Sequence, residues 1–130
     1  MLRLLAMNSR MVTGLILLLA CTLLCACAFS QGYQDGLTKS REAYLLSDLS
    51  MMRDGIKKYT SEQGHPPQSL NDLVDGEYVT HIPRDPITNE VDWIITRYDC
   101  ATVANCQKGI KDIHSASTAK SSKGNVYAGW

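Results

Sequence analysis

The sequence predicts an α+β domain, with one long N-terminal helix packed on a small antiparallel β-sheet, a short second helix and a C-terminal loop. Three observations predict it. Between residues 41 and 64, Leu45, Leu49, Met52, Ile56 and Tyr59 recur at steps of four, three, four and three, which draws one apolar stripe along a helix. Residues 92–98 read DWIITRY, a β-branched and aromatic run of the kind that forms strands. Residues 109–115, GIKDIHS, form a second strand candidate. A helix that is apolar on one side must bury that side, and the residues after it are the available partner.

The residues before the helix read as a membrane segment. Arg3 and Arg10 lie in a start without acids, and residues 11–29, MVTGLILLLACTLLCACAF, carry no charge. Such a run nearly reaches the roughly 20 residues that span a bilayer, and a positive start before it describes a signal peptide or an anchor. Two forms stay open. One is an uncleaved helix through residues 11–29. The other is a lipoprotein signal, because Leu24-Cys25-Ala26-Cys27 resembles a lipobox with Cys27 as the lipidated residue, and Leu18-Leu19-Ala20-Cys21 resembles one less well. Both forms place the rest of the chain in the cell envelope, with the soluble domain in the periplasm. Residues 1–29 are therefore the signal or anchor, 30–40 a polar spacer or frayed helix start with Gly32 and Gly36, and 41–130 the folded domain.

Within the domain, Asp54 precedes Lys57 and Lys58 at spacings that let side chains meet on a helix. Gly55 costs about 1 kcal/mol relative to alanine and calls for packing. Gly64, Pro66 and Pro67 stop the helix. Ser69 with Asp72 makes a near capping box, so residues 70–75 form a short helix with Leu70, Leu73 and Val74 on one face, ended by Gly76. Asp85, between Pro83 and Pro86, reads as a turn residue. Trp93 and the closing Trp130 read as core and tail anchors, and Val126 with Tyr127 as material for a third short strand.

Composition removes several functions. Thirteen basic residues balance thirteen acidic ones with no basic run, so nothing marks a nucleic-acid surface. A zinc set from Cys100, Cys106, His81 and His114 has an unusual spacing, and neither cysteine is marked as an activated nucleophile. The expectation is a protein that is not an enzyme and uses no cofactor. Cys100 and Cys106 flank the connection between the strands of an exported domain, which predicts a disulfide.

Four stretches resemble the major pseudopilin (protein G) family of bacterial type II secretion. Residues 41–79 resemble its long helix, proline-rich turn and second helix. IPRDPITNEVDW is similar to its "IPxDPIT…W" segment, GIKDIHSAS to its "GIYDVHSGS" strand, and the ending NVYAGW to "TPYSEW". The resemblance covers about residues 41–130. It implies a pilin-like fold and a structural role in protein secretion, with other pseudopilins or secretion-apparatus subunits as partners. The alternative is an envelope lipoprotein that keeps the domain for another envelope partner.

The sequence departs from that pattern in three places. The family's "GFTLIE" prepilin site falls on SRMVTG, so the cleavage junction is absent. Its glutamate is replaced by Gly14. The family's C-terminal loop, "DVHSGSDGTALDG", holds calcium with two later aspartates, and these positions are Thr118 and Lys123 here, with Asp112 retained. Calcium wants several hard, anionic oxygens, so no metal is expected. Two readings of Lys123 stay open: a solvated loop lysine, or an ammonium that reaches Asp112 or the carbonyls of residues 114–117 in place of the ion.

Overall fold

The computed structural model describes residues 9–101 and 106–130, and their side chains except at 9–11 and 26–30. Helix α1 is Ser9–Gln63, α2 is Asn71–Asp75, strands β1 and β2 are Ile94–Arg97 and Ile110–His114, and a 3-10 turn covers Tyr127–Gly129. The contacts divide the chain into two units, one ending at Leu37 and the other Thr38–Trp130.

In the first unit, Leu15, Ile16, Leu17, Leu18, Leu19, Leu23 and Leu24 are all exposed. Among the described residues no helix is long and apolar enough to cross a membrane. Only residues 12–25 of the run 11–29 have described side chains, and Cys27 lies outside them. Cys21 and Cys25 are free and exposed. Residues 31–40 belong to α1, as in the helix-start form of the two readings of 30–40. Two glycines at about 1 kcal/mol each do not stop a helix that continues on both sides.

The second unit is the predicted α+β domain. Leu45, Leu49, Met52 and Ile56 are buried along α1, and Leu73, Val79, Trp93, Ile110, Ile113 and Tyr127 complete the core, with Tyr59 and Trp130 packed against it. Gly55 is buried on the same helix, and an added Cβ would stand 2.9 Å from Val79 Cγ1. The glycine is there so that the segment after α2 can approach the helix.

The strands pair antiparallel, with Ile94 opposite His114, Ile95 opposite Ile113 and Thr96 opposite Asp112, and a bulge follows Thr96. The bulge places Arg97 opposite Ile110. The proline-rich turn docks beside the start of β2, where Ile110 N–H donates to the Pro67 carbonyl and Gln68 Nε2 to Lys108 O. Val126 does not start a third strand. It makes one isolated bridge with Lys120, and the chain then turns through Tyr127–Gly129.

The short helix starts one residue later than expected, within the usual uncertainty of helix ends. Its capping pair is formed: Asp72 N–H donates to Ser69 Oγ at 3.3 Å, and Ser69 N–H donates to Asp72 Oδ2 at 3.2 Å. At the other end, Gly76 has φ −85° and Glu77 takes the left-handed conformation at φ 61°. Gly76 is needed for space, because a Cβ there would lie 2.6 Å from the Tyr78 ring.

Candidate functional site

Two polar clusters join segments that are far apart in sequence. The first forms where the proline loop meets the end of β2. Asp85 is fully buried. Its Oδ1 accepts the Ile87 N–H at 2.7 Å and the Thr88 N–H at 3.4 Å, the expected turn role. Its Oδ2 accepts the Ser115 hydroxyl. Trp93 Nε1 donates to the Pro83 carbonyl at 2.8 Å on the same loop. Thus DPIT and DIHS, two of the stretches that carry the resemblance, are tied to each other by one carboxylate.

The second cluster holds the C-terminal segment on α1. Glu42 is buried, and its carboxylate accepts the Ser122 N–H, the Ser122 hydroxyl at 2.6 Å and the Tyr127 hydroxyl at 2.9 Å. The Ser122 hydroxyl and N–H hold Glu42 below the usual carboxylate range against its burial, and the Lys123 charge adds to this. Burial pushes the Tyr127 phenol up to about 12, with the Glu42 contact adding to it. About three turns of helix further on, half-buried Arg53 donates from Nε to Asp112 Oδ1 at 2.7 Å. Its Nη2 donates to the backbone oxygens of Ile113 and Trp130, both at 2.8 Å. His114 Nδ1 is 2.7 Å from the same Trp130 oxygen. Burial resists ionisation of Asp112, but the Arg53 bond and the Ile113 N–H outweigh it and leave the carboxyl below its ordinary range.

Of the two readings of Lys123, the solvated one agrees with these contacts: its side chain is exposed and makes no hydrogen bond to Asp112 or to the carbonyls of 114–117 among the described residues. Asp112 is already taken by Arg53, and the loop is held by a carboxylate that accepts from it. Thr118 is exposed as well. Among the described residues no group of three or more His, Cys, Asp or Glu side chains is placed to hold a metal ion.

Cys100 and Cys106 are joined in a disulfide, Cα atoms 5.2 Å apart, so neither is a thiolate ligand or nucleophile. A depression of about 330 Å³ beside it is lined by Thr60, Pro66, Tyr98, Asp99, Cys106 and Gln107. Its carboxylate, Asp99, accepts the Ala101 N–H.

No family model, no curated protein and no solved structure matches the chain.

The sequence reading missed Glu42 and Arg53. Glu42 stands three residues before Leu45 and so continues the apolar stripe with a charge. Arg53 stands four after Leu49, at the stripe's edge. A charged side chain on a buried face needs a partner, and that was the available signal.

Proposed function

We propose that the chain is a non-enzymatic, pseudopilin-like structural subunit of a type II secretion apparatus, anchored in the envelope through residues 11–29. The observation that carries this reading is the Asp85–Ser115 contact. It gives a physical reason for the DPIT and DIHS stretches to occur together in one domain of this α+β class. The exposed leucines of the first unit add support, since a contiguous apolar surface of this kind calls for a lipid or protein cover. Deleting the gene in its host and profiling the secreted proteins tests the reading: loss of specific exported proteins, restored by the wild-type gene, is expected, and an unchanged profile overturns it.

The second reading is an envelope lipoprotein that uses the same domain to bind another partner. Gly14 in place of the family glutamate, and cysteines at 21, 25 and 27, favour it. Metabolic labelling with radioactive palmitate separates the two. Label that disappears in Cys27→Ser supports the lipoprotein.

A further inference from the structure

The C-terminal segment is bonded to itself more than to the domain. Ser121 N–H donates to Asn125 O, Gly124 to Ser121, Tyr127 to Ala119, Ala128 to Ser117, Gly129 to Val126 and Trp130 to Tyr127. Among the described residues, every backbone-to-backbone hydrogen bond of residues 117–130 closes within the segment. The Tyr127 and Trp130 rings also meet each other, edge to face with centroids 5.2 Å apart. What ties the segment to α1 is side-chain chemistry: the Glu42 carboxylate on Ser122 and Tyr127, and Arg53 on the Trp130 oxygen. A compact, self-bonded loop of this size is the kind of unit that opens locally without global unfolding.

We infer that residues 117–130 are a latch, a preformed segment that docks on α1 through Glu42 and opens from it as one unit while the helix–sheet core stays folded. The core below does not depend on the latch for its backbone. Strand β2 is held by β1 and by Pro67, and α1 buries Leu45, Leu49, Met52 and Ile56 against a core of which Tyr127 is the latch's only fully buried apolar member among the described residues. Opening withdraws Tyr127 from that core and frees the Glu42 carboxylate on the helix face. Arg53 keeps Asp112 and the Ile113 carbonyl in either state.

The test is peptide-resolved hydrogen exchange on the full chain in detergent micelles at pH 7, wild type against Glu42→Gln. The amide has the carboxylate's shape but not its charge, so the three charge-assisted bonds weaken together. The expected result is wild-type exchange in peptides from 117–130 that is faster and less dependent on added urea than in peptides from 45–56 and 110–114, with a further rise in 117–130 in the variant on the order of tenfold. Equal opening free energies and equal urea dependence in the latch and the core of the wild type would show a single cooperative unit and overturn the inference. Unchanged protection in 117–130 would show that Glu42 does not hold the segment, and overturns it as well.

Discussion

Asp85 and Arg53 show how single side chains set distant backbone. Asp85 is fully buried and serves two backbone N–H groups and the Ser115 hydroxyl. Asp85→Ala leaves these donors without an acceptor, at about 1–3 kcal/mol for each buried group left unpaired. We expect a loss of about 3 kcal/mol, read as a lower urea midpoint at unchanged slope. A loss below about 0.5 kcal/mol, ordinary for a surface site, would mean that the loop is held without it. Asp85→Asn keeps one carbonyl for Ile87 and should cost less. Arg53 reaches a carboxylate and two backbone oxygens with one planar fork. Lysine is a compact charge without that fork, so Arg53→Lys should lose about 1–2 kcal/mol despite keeping the charge. Full stability in Arg53→Lys would leave only the charge as relevant.

At the scale of elements, the close approaches decide what can be changed. An added Cβ at Gly109 would lie 2.7 Å from Pro66 Cγ and 2.9 Å from the Pro66 oxygen. Gly109→Ala must therefore push the proline turn off the start of β2, and we expect a loss of about 2 kcal/mol with the Ile110–Pro67 bond broken; unchanged exchange at Ile110 would refute this. Removing the disulfide by Cys100→Ser with Cys106→Ser should cost about 2–3 kcal/mol on the chain-entropy model, measured as the difference in denaturant midpoint. The sequence made the apolar elements legible because their information is local. The stripe at Leu45, Leu49, Met52 and Ile56, the run at Ile94–Arg97, and the Ser69–Asp72 cap each lie within a few residues. The clasps were illegible for the opposite reason. Glu42 meets Ser122 across 80 residues, and Arg53 meets Asp112 across 59, so no periodicity reports them. Loop residues compared with loop residues put Lys123 where the family has an aspartate, while the group that holds the loop, Glu42, sits on the helix. Asp85 was read correctly as a turn residue, but its contact with Ser115, 30 residues away, was not readable.

For the whole domain, the clasps predict the sign of the pH dependence. Glu42, Asp72 and Asp112 all have folded-state carboxyls held below their ordinary values of 4.5, 3.8 and 3.8. For Asp72 the cause is chiefly the Ser69 hydroxyl, with the Gln68 and Ser69 N–H groups adding to it. A carboxyl depressed by folding contributes stability above its unfolded value and loses it as pH falls through the folded one. Asp48 works in the other sense. Burial raises it, assisted by Asp85 and opposed by His81, so its contribution is present at low pH and lost as pH rises. Three depressed groups against one raised group give a net loss toward acid. The thermal midpoint of the full chain in detergent should therefore hold from pH 7 to about 5 and fall below about 4.5. Glu42→Gln removes one of the three, so its midpoint should start lower at pH 7 and fall less steeply in acid. At the alkaline end, Tyr127 is raised to about 12 from 10.0, and ionising it would set a phenolate against the Glu42 carboxylate. Its contribution is present below pH 10 and lost on the way to about 12. Tyr127→Phe should lower the midpoint at neutral pH through the lost bond to Glu42 and remove this group's share of the alkaline decline. Parallel pH profiles for wild type and Glu42→Gln below pH 5 would show that the acid response arises elsewhere, and would detach the carboxylate clasp from the stability of the domain.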